Sequence, residues 1–273
     1  MPEDLSRLCI HTITTKPWPL EVAVDKYAAA GVGGISIWDD AATDIGIPRT
    51  RQILDGSPLQ VVSYVRGGFF PNHNREARQH SLDNNRRLID DAAEIGAPLL
   101  VLVCGAEPRQ SLEESRRQIQ AGIEALIDHS AGCGVKLAIE PLHPMYADTR
   151  SAINTLGQAN QMAEAIDHVQ VGIAVDVYHL WWDDRLEHEI QRCGANDNLY
   201  AFHICDWKVP TQDMLLDRGL MGEGCIDVPL IRSWVEAGGF RGFHEVEIFS
   251  NTYWSMDQDE FLKRIITAYR NFS

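Results

Sequence analysis

Short apolar runs alternate along this chain with longer stretches whose apolar residues recur at helical spacing. The run at residues 99–104 is unbroken, which is typical of a strand covered on both faces. Residues 111–129 carry the clearest helical stripe and begin with Ser111 and Glu114 at the spacing of a capping box. Eight apolar runs are predicted as strands: residues 8–12, 34–38, 60–65, 98–105, 135–140, 171–176, 199–204 and 243–249.

Eight strands that alternate with helices indicate a parallel α/β arrangement. Over 273 residues, this count predicts a single-domain (β/α)8 TIM barrel that spans residues 1–273. An open, doubly wound sheet is the competing architecture. Neither a G-x-G-x-x-G motif nor a G-x-x-x-x-G-K-[ST] motif follows any of the strands, which argues against the open sheet.

The last four predicted strands each carry, at or near the carboxyl end, a polar side chain that can bind a metal ion: Glu140, Asp176, His203 and Glu247. In a parallel barrel these ends meet at one mouth. Three carboxylates and one imidazole favour Mn²⁺ or Mg²⁺, and they are compatible with Zn²⁺ or Co²⁺. Taken singly, each residue is better explained as a surface, capping or core residue. The joint pattern on four successive strands favours a metal site.

Other polar and aromatic side chains follow the same strand ends. Glu245 competes with Glu247 as the ligand, because it points to the same side of the strand, one layer deeper. Candidates for contact with a substrate come from the loops and strand ends around the predicted mouth: His143, His179, Asp206, Arg218 and Trp38. His143 would contact substrate or carry a proton there, or it is only a loop residue.

The charge of the chain narrows the classes of partner. The formal net charge is -15, from 24 lysines and arginines against 39 acidic residues, and this field repels nucleic acid and anionic membranes. No apolar run is long enough to span a bilayer. The six scattered cysteines form no C-x-x-C pair, and the amino terminus lacks a signal-peptide pattern. Both features favour a cytoplasmic protein. The expected partner is a small-molecule substrate.

Several segments resemble the sugar phosphate isomerases/epimerases, a group of xylose isomerase-like barrels that includes ketose 3-epimerases and inosose isomerases. The segments are A-I-E-P-L at 138–142, V-D-V-Y-H at 175–179, F-H-I-C-D at 202–206, G-E-G-C-I-D at 222–227 and E-V-E-I-F at 245–249. The last segment favours Glu247 over Glu245. The resemblance covers residues 138–249, and the amino-terminal half matches only in its rhythm of strands.

The resemblance implies a divalent-metal-dependent isomerase or epimerase that acts on a keto-sugar or related polyol through an enediolate. Glu140 and Glu247 would be ligands and also acid/base groups, with His143 as a third catalytic candidate. His179, Arg218, Asp206 and Trp38 would contact the substrate.

Three other functions remain open at this stage. One is a metal-dependent lyase of the same fold, similar to inosose dehydratases or to subunits that remove 3-keto sugars from C-glycosides, and His143 with the tryptophan-rich rim fits it. Another is DNA repair of the endonuclease IV kind, against which the charge of -15 argues. The third is a non-catalytic binding module.

Aromatic residues near the rim favour a homo-oligomer and are compatible with a hetero-oligomer.

Overall fold

Eight parallel strands close into a barrel in the computed structural model, which describes residues 4–273. Around the barrel, the strand order is β1-β10-β7-β6-β5-β4-β3-β2. The barrel strands are β1 (Leu8–His11), β2 (Gly34–Trp38), β3 (Gln60–Gly68), β4 (Leu99–Val103), β5 (Lys136–Glu140), β6 (Val171–Asp176), β7 (Leu199–Ile204) and β10 (His244–Val246). Between the last two, β8 (Asp206–Trp207) and β9 (Arg218–Gly219) form a small antiparallel ribbon. The predicted TIM barrel is confirmed.

Helices follow the strands and cover the outside of the barrel. They are α1 (Leu20–Ala29), α2 (Asp39–Thr43), α3 (Ile47–Asp55), α4 (Arg75–Ile95), α5 (Leu112–Glu124), α6 (Ile127–Cys133), α7 (Leu156–Ile166), α8 (Val177–Leu180), α9 (Leu186–Ala195), α10 (Val228–Ala237), α11 (Asn251–Trp254) and α12 (Gln258–Phe272), with one 3-10 turn at Pro144–Tyr146. Within residues 4–273, no helix combines the length and the apolar character needed to cross a membrane.

Three element boundaries differ from the predicted ones. Strand β3 continues through Gly67 and Gly68, which pair with β4, because glycine fits where a Cβ would press on Asn85 and Val103. The long predicted helix breaks after Glu124 into α5 and α6 while its buried stripe continues, so apolar spacing does not reveal the break. Strand β10 ends early because the amide of Ile248 donates to the side chain of Thr14 instead of to a neighbouring strand.

The interior of the barrel combines apolar and polar layers. In one layer of the interior, three neighbouring strands contribute small side chains, namely Ala138, Ala174 and Ala201. The main apolar core lies outside the strands, where they pack against the helices. Small inward-facing residues leave room in the barrel for the buried polar groups described below. All six cysteines are free thiols.

Candidate metal centre

The four predicted ligands come together at the mouth of the barrel. Glu140, Asp176, His203 and Glu247 are all buried, and each offers one ligand atom within 4.8 Å of the others. Glu140 and Asp176 are the last residues of β5 and β6, and Glu247 follows β10 directly. The parallel register places Asp176 beside His203 on the adjacent strand. Residues that are far apart in sequence thus become one cluster because parallel strands end at the same rim.

Local structure fixes the orientation of two of the carboxylates. Asp176 caps helix α8, and its Oδ1 accepts a hydrogen bond of 2.7 Å from the amide of Tyr178. This bond leaves Oδ2 free to face the cluster. Glu140 precedes Pro141, which has no N–H group and cannot extend the strand ladder. Both side chains are therefore held at a point where the sheet stops.

Unpartnered atoms in the cluster provide a test of whether a metal ion fits. Oε1 of Glu140 lies 2.9 Å from Nδ1 of His203, yet neither atom has a well-aligned hydrogen-bond partner, and both are buried. Leaving such groups unsatisfied is costly. Two lone-pair donors that converge without a proper hydrogen bond between them are what a shared cation requires. The donor set and its geometry therefore fit a divalent metal ion held by Glu140, Asp176, His203 and Glu247.

A second polar layer lies deeper in the barrel. Oε2 of Glu245 accepts hydrogen bonds from Ser36 (2.6 Å) and Ser63 (3.0 Å), and it also lies 3.0 Å from Nε2 of His11. His11 also contacts Glu247 in the upper layer, with Nδ1 3.2 Å from Oε1. The carboxylate of Glu245 is thus already satisfied by the protein, whereas that of Glu247 faces the ligand cluster.

Burial and charge set the protonation of the cluster. Burial raises the pKa of Asp176 to about 7, against the opposing charge of Arg218. Burial also opposes protonation of His203, but its contact with Glu140 and the charges of the surrounding carboxylates outweigh this effect and raise its pKa to about 10. Without a metal ion, a protonated His203 therefore supplies part of the positive charge that the carboxylates need.

Arg218 supplies the rest of that charge. Its Nη1 lies 2.8 Å from Oε2 of Glu247 and 3.4 Å from Oδ2 of Asp176. Burial disfavours ionisation of Glu247, but the hydrogen bond with His11 and the charge of Arg218 hold its pKa below its usual range. Because β9 pairs with β8, the ribbon carries this arginine over the mouth.

His179 lies next to Arg218, and both line a cavity above the centre. The arginine Nη2 donates to Nε2 of His179 at 3.3 Å. Burial, and then the charge of Arg218, place the pKa of His179 well below its ordinary value, so its ring is neutral. Since Nε2 accepts, the proton is on Nδ1, which is buried without a partner. That N–H group is therefore an unsatisfied buried donor.

Asp206 does not have the substrate-binding position that we predicted from the sequence. It is fully buried, and its carboxylate accepts hydrogen bonds of 2.8 to 3.0 Å from the amides of Trp207, Gly222, Gly224 and Ile226. The residue instead holds the glycine-rich loop that follows the ribbon. A Cβ on Gly224 would lie 2.0 Å from the carbonyl oxygen of Trp207, which explains glycine in this loop.

Two other predicted site residues lie at the edge of the centre. His143 is half-buried, stacks on Trp207 at 5.2 Å and meets Trp182 edge-on at 5.6 Å. Its Nδ1 accepts from the amide of Met145, so the side chain caps the 3-10 turn and lies outside the lining of the cavity. Trp38 does line the cavity, and its indole N–H donates to Nδ1 of His11 at 3.2 Å.

The cavity above the centre has a volume of about 30 Å³. Besides the predicted residues, its wall contains Arg66, Tyr146 and Arg150, which our sequence reasoning did not select. His11 was also missed, although it ends the first strand as the other polar residues end theirs. For Arg66 and Arg150 the sequence carries no comparable signal, because both lie in segments predicted as loops.

Comparisons with known proteins agree with the barrel fold. The family model described as the xylose isomerase-like TIM barrel matches residues 24–265. The crystal structure of protein SMc04130 from Sinorhizobium meliloti 1021 is 42% identical, with a TM-score of 0.95 over 98% of this chain and 99% of that one.

More distant relatives have names that indicate a chemistry. The inosose isomerase of Bacillus velezensis is 25% identical over 224 residues, which are 79% of this chain and 74% of that protein. A structure of the IOLI protein with a zinc atom is 18% identical and has a TM-score of 0.86 over 97% of both chains. At this identity, the second likeness bears on the fold alone.

Proposed function

This chain belongs to the family of xylose isomerase-like TIM barrels, and we propose that it is a divalent-metal-dependent isomerase or epimerase that acts on a keto-sugar or a related polyol. One observation carries the proposal: the buried cluster of Glu140, Asp176, His203 and Glu247, whose ligand atoms lie within 4.8 Å of one another. The inosose isomerase relatives support the choice of substrate class.

The donor set supports a particular choice of cation. Its mostly hard oxygen ligands favour Mn²⁺ or Mg²⁺, while Zn²⁺ and Co²⁺ also accept such a set. When bound, the ion would polarise the substrate carbonyl and make the neighbouring C–H group more acidic.

Glu140 and Glu247 are the proposed proton carriers. They approach the cluster from opposite sides of the Asp176–His203 pair in the strand order, so each can reach a different part of a bound sugar. One glutamate removes the proton from carbon to give an enediolate, and the other returns a proton. Return to the opposite face of the same carbon is epimerisation, and return to the neighbouring carbon is isomerisation.

Neighbouring side chains orient these groups and the substrate. Arg218 binds the carboxylate of Glu247 and keeps it ionised, as the lowered pKa of Glu247 indicates. Neutral His179 offers its Nδ1–H group to a substrate oxygen. Trp38 and Phe249 form an apolar wall of the cavity that excludes water.

Proton exchange at carbon tests the proposal directly. The Mn²⁺-loaded protein is incubated with a panel of keto-sugars and inososes in D₂O, and deuterium incorporation is followed by NMR. We expect Glu140→Gln and Glu247→Gln to reduce the exchange rate by roughly 100-fold or more, since each removes an acid/base group. The exposed Glu124→Gln serves as the matched control. Full exchange by either active-site variant, with metal retained as judged by elemental analysis, overturns the assignment.

A lyase reaction is the second candidate. The aromatic cluster of His143, Trp182 and Trp207 at the edge of the centre favours it, because flat rings there suit an aromatic leaving group. Product analysis separates the two reactions: a 3-keto-C-glycoside would release its aromatic part in a lyase reaction, whereas a keto-sugar would only be rearranged.

A further inference from the structure

Two arginines in the cavity wall have no ion-pair partner among residues 4–273. Arg66 and Arg150 line the same cavity as Glu140 and Glu247. Across residues 4–273, neither guanidinium forms an ion pair or a hydrogen bond with another side chain; each instead lies over aromatic rings. Arg66 is 5.5 Å from the ring of Trp38, and Arg150 is 5.4 Å from that of Tyr146.

This arrangement is unusual in a chain with 39 acidic residues. The two side chains are only half exposed, and burial and then the charge of Arg150 lower the pKa of Arg66. Two like charges that face one cavity without a directly bonded counter-ion destabilise each other, and the more distant carboxylates of Glu247, Asp40 and Glu140 offset this effect on Arg66 only in part. Arg218 differs from both, because Glu247 and Asp176 already neutralise its charge.

A bound metal ion would not remove the excess positive charge of Arg66 and Arg150. The two charges of the ion and the single charge of Arg218 balance the carboxylates of Glu140, Asp176 and Glu247, with His203 as a neutral ligand. The positive charges of Arg66 and Arg150 then remain uncompensated at the entrance to the centre.

Contact with an aromatic ring does not use the N–H donors of either guanidinium group. An arginine that lies over an aromatic ring uses the face of its planar group, while its N–H donors point outward in the plane. Those donors match the oxygens of a carboxylate or a phosphate, which arginine binds through paired hydrogen bonds. Trp38 and Tyr146 thus hold the two cations in place without satisfying them.

We propose that Arg66 and Arg150 form an oxyanion subsite, and that the substrate is a keto-sugar carrying a carboxylate or phosphate group. The anionic group binds the two arginines, while the carbonyl end faces Glu140 and Glu247. This assignment of substrate class rests on the proposed function, and it adds a charged group that a keto-sugar isomerase does not in general require.

Three ligands that share one skeleton test the subsite. Binding of D-fructose, D-fructuronate and D-fructose 6-phosphate to the Mn²⁺-loaded full chain is measured by calorimetry. We expect one of the two anions to bind about tenfold to a hundredfold more tightly than D-fructose, and added salt to weaken that preference. Whichever anion binds more tightly identifies the group as carboxylate or phosphate. Wild-type protein without a preference for either anion overturns the proposal.

Variants of the two arginines test whether they cause the preference for the anionic ligand. Arg66→Gln and Arg150→Gln should each reduce binding of the preferred anion about tenfold or more and leave binding of D-fructose unchanged. Arg270→Gln, an exposed change on α12, is the matched control. Unchanged anion binding in both cavity variants overturns the subsite, and the wild-type comparison decides the proposal even where a variant does not fold.

The two proposals fail separately, because this test measures binding and not turnover. If Glu140→Gln and Glu247→Gln retain full proton exchange while the arginine variants lose the anion, the proposed chemistry is wrong and the subsite stands. If the glutamate variants lose exchange while the anion preference is absent, the chemistry stands and the subsite is wrong.

Discussion

Arg218 and Glu247 form a buried ion pair of 2.8 Å between the ribbon above the barrel and the residue that follows the last barrel strand. Glu247 is also a proposed metal ligand. Arginine and metal ion would therefore share one carboxylate, and removal of either cation should increase the dependence of the protein on the other.

We expect Arg218→Met to lower the free energy of unfolding of the metal-free protein by about 3–5 kcal/mol, because it leaves buried carboxylates unpaired. Mn²⁺ should then stabilise the variant more than it stabilises the wild type. Thermal unfolding with Mn²⁺ and with EDTA measures both effects. Arg117→Met, which breaks only an exposed pair with Glu113 and Glu114, should change stability by less than about 1 kcal/mol. Equal metal stabilisation of Arg218→Met and wild type would contradict the shared carboxylate.

His203 tests the metal centre through stability alone. At a Mn²⁺ concentration of about 100 times Kd, binding to the folded state adds roughly 2.7 kcal/mol to the free energy of unfolding. For a chain of this size, that gain corresponds to a rise in Tm of about 5–10 °C. His203→Gln should abolish most of the rise, since an amide replaces the imidazole ligand. His188→Gln, an exposed change on α9, should retain it. The same rise in both variants would remove His203 from the ligand set.

Asp206 should determine the local stability of the loop above the centre and not that of the barrel. Asp206→Asn places an amide group beside N–H donors of Gly222, Gly224 and Ile226, so the loop loses bonds that close it. We expect faster amide hydrogen exchange in residues 220–227, with the barrel strands still protected. Asp227→Asn is the control, because asparagine caps α10 as well as aspartate does. If residues 220–227 exchange at the wild-type rate in Asp206→Asn, the loop is held by other contacts.

The sequence was sufficient for the barrel and for the four clustered residues. Parallel strands end at one rim, so a polar residue at the end of each of four successive apolar runs has its position fixed by the fold. Glu140, Asp176 and His203 follow from this rule, whereas the choice of Glu247 over Glu245 also used the resemblance of residues 245–249. The same rule applies to His11, which we overlooked because its strand lies at the other end of the chain.

The loops were beyond the reach of the same rule. Asp206 follows its strand as a substrate-binding residue would, but its neighbours in space are the amides of a loop that returns some 16 residues later. Arg66 and Arg150 reach the cavity because β3 continues through two glycines and because the chain after the 3-10 turn folds back to pair at Ser151. Apolar periodicity contains no information about where a loop folds back onto the barrel.

Two helical glycines should respond in opposite directions to alanine. Gly194 in α9 packs against α10, where an added Cβ would lie 2.1 Å from the carbonyl oxygen of Gly238. Gly194→Ala should therefore destabilise the protein by about 1–3 kcal/mol, because backbone must move. Gly132 in α6 is exposed, and its Cβ would meet nothing within 4 Å. Gly132→Ala should stabilise by roughly 0.5–1 kcal/mol through helix propensity alone. Chemical denaturation measures both, and a stabilising Gly194→Ala would show that the two helices can separate at little cost.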